Sequence, residues 1–153
     1  MMRPLLGLLL CAPALLAVLI DARAALAGWL AALLLVSSVP LGALCLLMMV
    51  RIIPGSWRME LTEPCSAAVA LAPALVLLAL PVVIGMRWLF PWFDGGLSGF
   101  KATYLAPVFY GIRLLGILIG AAVLGVAVLS SASCRLAIIG LIAFVLLHSL
   151  LAM

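Results

Sequence analysis

PCSAAVALAPALVLLALPVVIGM, residues 64–86, runs from Glu63 to Arg87 without a single Asp, Glu, Lys or Arg. A helix needs about 20 apolar residues to cross a hydrocarbon layer ~30 Å thick, and this stretch meets that length. Its apolar character is continuous rather than alternating, which excludes a barrel strand and leaves a helix that satisfies its own backbone. Four more charge-free runs occupy 4–20, 24–50, 114–134 and 136–153. The sequence therefore predicts five spans, near 5–20, 26–50, 66–90, 105–130 and 136–152, forming one all-α integral membrane bundle over residues 1–153.

Composition leads to the same class. Of 153 residues 70% are apolar and 8% charged, too few charges to give a soluble core of this size a hydrated surface. The formal net charge of +4 is ordinary for a membrane protein and does not point to nucleic acid. Membrane lipids are the expected surroundings.

The first span also fits a secretory signal, with Met1-Met2-Arg3 as its basic head and Ala22-Arg23-Ala24 as a small-x-small cleavage site. Cleavage would leave four spans. A lipoprotein signal fits less well, because Leu10 stands before Cys11 where a small side chain is needed. Among the charges near span ends, Arg3, Arg51, Arg58 and Arg135 gather on one side of the membrane and Arg23, Arg87 and Lys101 on the other. The positive-inside bias then puts the N-terminus in the cytoplasm of a bacterial inner membrane.

Proline and glycine mark the irregular places. Pro40, close to Ser37 and Ser38, and Pro73 and Pro81 predict kinks. Gly116 and Gly120 form a small-xxx-small pair, a site for close helix approach within the chain or to a partner. Residues 51–65 read as a turn at Pro54-Gly55 and an interfacial segment, with Pro64 opening the next helix. Residues 87–105 read as an aromatic belt beside a glycine-rich turn, where Trp88, Trp92 and Phe93 anchor at the interface or contact a neighbouring subunit.

Several stretches occur in an order that resembles a known family. They are PLGALCLLMMV (40–50), Gly55 and Trp57, LALP (78–81), WLFPWF (88–93) and KATYLAPVFYGIR (101–113). Together they resemble the N-terminal half of the ActF-type membrane subunit of bacterial alternative complex III, distantly similar to polysulfide-reductase membrane subunits. The resemblance implies a subunit of a quinol-oxidising respiratory complex, with a quinone at an interface and haem or iron-sulfur centres only in partner subunits. The family's second helical bundle is not matched, and Val50-Arg51 stands where the family pattern has a His-His pair. A proton-path role for that end of the helix is not implied.

Arg113 is the residue that a membrane helix tolerates least, since a guanidinium in hydrocarbon must snorkel, pair or face a cavity. One reading has it reach lipid phosphate. Another has it pair with Asp21, directly or through His148 or Tyr110, because the span topology puts Arg113, Asp21 and His148 at comparable, shallow depths near one membrane face. That polar cluster would steady the bundle, a lipid or a quinone headgroup.

No catalytic set is visible. His148 is the only histidine, so bis-histidine haem ligation by this chain alone is excluded. Cys11, Cys45, Cys65 and Cys134 have no ligand spacing and read as packing residues, so no metal is expected. Asp94 reads as a solvated turn residue beside Gly95-Gly96, and Glu60 and Glu63 balance Arg51 and Arg58 at the interface. No acid stands in mid-span, which disfavours ion-coupled transport. Two function classes follow: a non-catalytic membrane subunit of a respiratory complex, or a small transport or assembly factor acting as a homo-oligomer.

Overall fold

The computed structural model describes residues 20–91, 99–131 and 133–152. Among these the chain is helical, with no strand. Asp21 sets the first boundary: its carboxylate accepts from the backbone N–H of Arg23 at 3.0 Å and of Ala24 at 3.1 Å, two donors that a helix start leaves without partners. Helix α1, Ala22–Ile52, has 31 residues, about 46 Å at 1.5 Å per residue, so it overshoots the hydrocarbon layer. It passes through Pro40. Just before that proline, Ser37 and Ser38 donate their hydroxyls to the carbonyls of Leu34 (2.9 Å) and Leu35 (2.6 Å), which keeps these groups satisfied inside an apolar helix.

The next crossing is built from two pieces, α2 (Trp57–Val69) and α3 (Ala72–Ile84). Pro73 has no N–H for the Val69 carbonyl, so the ladder changes at Ala70 and Leu71. Tighter bonds take over there, from Leu71 N–H to Ala68 and from Ala74 N–H to Leu71. Residues 51–65 differ from the sequence expectation: the helix already starts at Trp57 and carries Pro64 inside it. Pro64 is exposed, and the back-bonded hydroxyls of Thr62 and Ser66 hold the turns on either side.

The third expected span also ends earlier, at Ile84 rather than near 90, because Gly85 closes α3 and a short α4 (Met86–Leu89) follows. Helix α5 (Phe100–Tyr104) precedes α6 (Pro107–Ser130), which opens with Pro107 at its first position, where a missing N–H costs nothing. Helix α7 covers Cys134–Ala152. The spans Ala22–Ile52, Trp57–Ile84 and Pro107–Ser130 are long and apolar enough to cross a membrane, and Cys134–Ser149 is a shorter apolar helix. The expected first span, with its signal reading and Cys11, lies outside the described residues, as do Trp92, Phe93 and Asp94.

Helix α1 is the centre of the bundle and packs on α2, α3, α4 and α7, while α6 packs on α3 and α7. Leu44, Leu47, Met48 and Val69 are buried with Val128 and Ala137 at one end. Leu26, Leu75, Ala79 and Val82 are buried with Leu118 towards the other. Two glycines allow the closest approaches: a methyl on Gly85 would stand 2.5 Å from Leu26 Cδ1, and one on Gly140 would stand 2.8 Å from Leu124 Cδ1. The outward stripe of α6 is apolar, with Ile112, Ile119, Val123 and Val126 exposed, as expected where lipid replaces water as the solvent.

At the end of the bundle holding Arg58 and Arg135, Arg51 leaves the last turn of α1 and donates through Nη1 to the carbonyl of Ser131, which closes α6. The sequence pattern puts Arg51 in a local charge balance with Glu60 and Glu63. Its hydrogen-bond partner is instead the turn between α6 and α7, brought close by the α1–α7 packing.

Candidate cation site at the head of helix α6

Ala106 precedes a proline and is held out of the helical region, at φ −51° and ψ 131°. This turn folds α5 back on α6. Tyr104 thereby meets a side chain nine residues further along: the guanidinium carbon of Arg113 lies 4.0 Å from the Tyr104 ring centroid. Phe109 and Tyr110 precede Arg113 by four and three residues, so they share its helix face, with centroids at 5.8 and 5.5 Å. A long side chain on a helix leans towards the N-terminus, so Arg113 is directed to the membrane surface.

The aromatic rings are themselves tied together. Phe100 stacks on Tyr104 at 5.6 Å, and Tyr104 meets Phe109 at 6.0 Å. Tyr110 meets Phe90, after α4, edge to face at 5.3 Å and 72°. Ring faces carry negative electrostatic potential, so the arginine has an attractive but unsaturated setting. Its Nε and Nη1 are enclosed and have no hydrogen-bond partner.

Of the four residues expected to cluster, Arg113 and Tyr110 come together and Asp21 and His148 stand apart. Asp21 is exposed and uses its carboxylate to cap α1. Leu26, near the level of Gly85, lies five residues further into the bundle than Asp21, roughly 7 Å. His148 follows Leu147, whose Cδ1 would stand 3.6 Å from a methyl placed on Gly120. Gly120 is seven residues, about 10 Å, deeper along α6 than Arg113. Neither Asp21 nor His148 is hydrogen-bonded to Arg113; each bonds to its own helix.

His148 donates from Nδ1 to the Phe144 carbonyl at 2.9 Å, since a carbonyl can only accept, and its ring lies 4.1 Å from that of Phe144. Its Nε2 is enclosed without a partner. Among the described residues no three of His, Cys, Asp and Glu gather as a metal site. Trp88 is exposed on α4. Gly116 meets open space, so of the small-xxx-small pair only Gly120 touches another helix.

Sequence reasoning missed Tyr104 and Phe109 as Arg113's neighbours. The i−4 position of Phe109 is a readable signal, whereas Tyr104 depends on the turn at Ala106-Pro107. Beside the cluster, α3, α4 and α6 bound an apolar groove of about 340 Å³ lined by Val83, Met86, Gly111 and Leu115, with Arg87 at its edge. No protein-family model, curated protein or solved structure matches the chain.

Proposed function

We propose that this chain is a membrane subunit of a respiratory quinol-oxidising electron-transfer complex in the bacterial inner membrane. It holds partner subunits and stands beside a quinone or proton route, while haem or iron-sulfur centres belong to its partners. The observation that supports this reading is the unfinished state of Arg113. A cation enclosed by Tyr104, Phe109 and Tyr110, with two enclosed donors unpaired, is completed by a group from outside the chain. The stretch that builds the cluster, KATYLAPVFYGIR, is also the longest motif in the resemblance to the ActF-type subunits. The end carrying Arg51, Arg58 and Arg135 is assigned to the cytoplasm by the positive-inside bias.

The test is affinity purification of the tagged chain in mild detergent, with haem absorbance and mass spectrometry of what accompanies it. Haem-containing partners in stoichiometric amounts are expected. A colourless homo-oligomer would reject the respiratory reading and favour a transport or assembly factor.

A further inference from the structure

We propose that Arg113 is a binding site for the phosphate of an anionic phospholipid, with Tyr104, Phe109 and Tyr110 as its clasp. The inference rests on the reading that Arg113's acceptor comes from outside the chain, and not on which complex the chain joins. Three observations lead to it.

First, among the described residues no acid is bonded to Arg113. Asp21, the acid at this end of the bundle among the described residues, is exposed and accepts from Arg23 and Ala24 N–H. A guanidinium in apolar surroundings without an anion is unfavourable, and an anionic oxygen makes the strong, charge-assisted bond it lacks.

Second, the side chain is held rather than free. Tyr104 covers one face at 4.0 Å, and Nε and Nη1 are enclosed, while the residue as a whole is only half-buried. The guanidinium is therefore clasped by rings but not sealed off from an incoming oxygen. That distinguishes a built site from an arginine that merely snorkels.

Third, the position suits a lipid. Arg113 lies six residues, about 9 Å, inside the start of α6, within reach of the headgroup layer for a long side chain. The neighbouring stripe of the same helix, Ile112, Ile119 and Val123, is exposed and apolar and runs deeper from the level of Arg113, and it offers the acyl chains a surface below the phosphate.

Native mass spectrometry and thermal unfolding of the purified full chain would test this, with added phosphatidylglycerol, phosphatidylcholine or inorganic phosphate. Phosphatidylglycerol is expected to be retained and to raise Tm, phosphatidylcholine to do so much less, and inorganic phosphate not at all. Arg113→Gln is expected to weaken phosphatidylglycerol binding by about tenfold or more, the loss of one charge-assisted bond. Arg113→Lys, which keeps the charge if the glutamine variant fails to fold, retains part of it, and Tyr104→Leu loses several-fold through the clasp alone.

Equal retention by Arg113→Gln, equal effects of the two lipids, or an equal effect of free phosphate would overturn the proposal. So would a carboxylate of a neighbouring chain found bonded to Arg113. Lipid retention by a chain that purifies without haem partners would leave this inference standing while the respiratory reading fell.

Discussion

Trp29 donates its indole N–H to the main-chain carbonyl of Leu78 across 2.9 Å, joining α1 to α3 inside the bundle. The bond forms next to a disrupted ladder, because Pro81 has no N–H to give the adjacent carbonyl of Leu77. An indole is suited to the place, since its ring packs as an apolar body and its single donor is satisfied by the Leu78 carbonyl.

Trp29→Phe keeps the ring and deletes the donor. The expected loss is about 0.5–1.5 kcal/mol, the net worth of a neutral hydrogen bond. Trp29→Ala removes the packing as well and should cost clearly more. Reversible unfolding in mixed detergent micelles measures both, and equal stability of Trp29→Phe and the native chain would rule the bond out as a contributor.

Glycine substitutions separate helix contacts that pattern alone confuses. A methyl on Gly85 would meet Leu26 Cδ1 at 2.5 Å and the Pro81 carbonyl at 2.9 Å, whereas one on Gly116 meets nothing within 4 Å. Gly85→Ala should therefore lose roughly 1–3 kcal/mol by overpacking. Gly116→Ala should stay within about 0.5 kcal/mol of the native stability. If the isolated chain showed the reverse order, the packing of α3 and α4 against α1 would be wrong.

Arg51 anchors the opposite end through Ser131. Arg51→Gln shortens the reach and removes the charge, so the α6–α7 turn should open more often. Hydrogen exchange at residues 131–135 is the direct measurement, with faster exchange there and little change in α3. Unaltered exchange would show that the turn holds without the arginine.

The bundle is legible in the sequence because lipid imposes a length and a polarity on every span, and the charges between spans mark their ends. Residues 64–86 could be nothing but a crossing. Finer features depend on contacts between distant segments. The early start of α2 at Trp57 is hidden by Pro64, which reads as a boundary but is tolerated at an exposed position. Arg113 stands out from its chemistry alone, and Tyr110 is within reach of helix periodicity. Tyr104 requires the fold-back at Ala106, and the separate bonding partners of Asp21 and His148 depend on local geometry that composition does not carry.

Asp21 offers the sharpest choice between two roles. As an N-cap it needs only a short side chain with an acceptor oxygen, and Asn serves nearly as well as Asp. As the counter-ion of Arg113 it would need its charge. The structure gives the carboxylate to the N–H groups of Arg23 and Ala24. Asp21→Asn should therefore unfold within about 0.5 kcal/mol of the native chain, and Asp21→Ala should lose about 1 kcal/mol through the missing cap. Combined with Arg113→Leu, the losses of Asp21→Ala should add, because the two side chains share no partner. A double variant that recovers stability lost by each single change would instead establish an ion pair between them, and Asp21→Asn would then fall as far as Asp21→Ala.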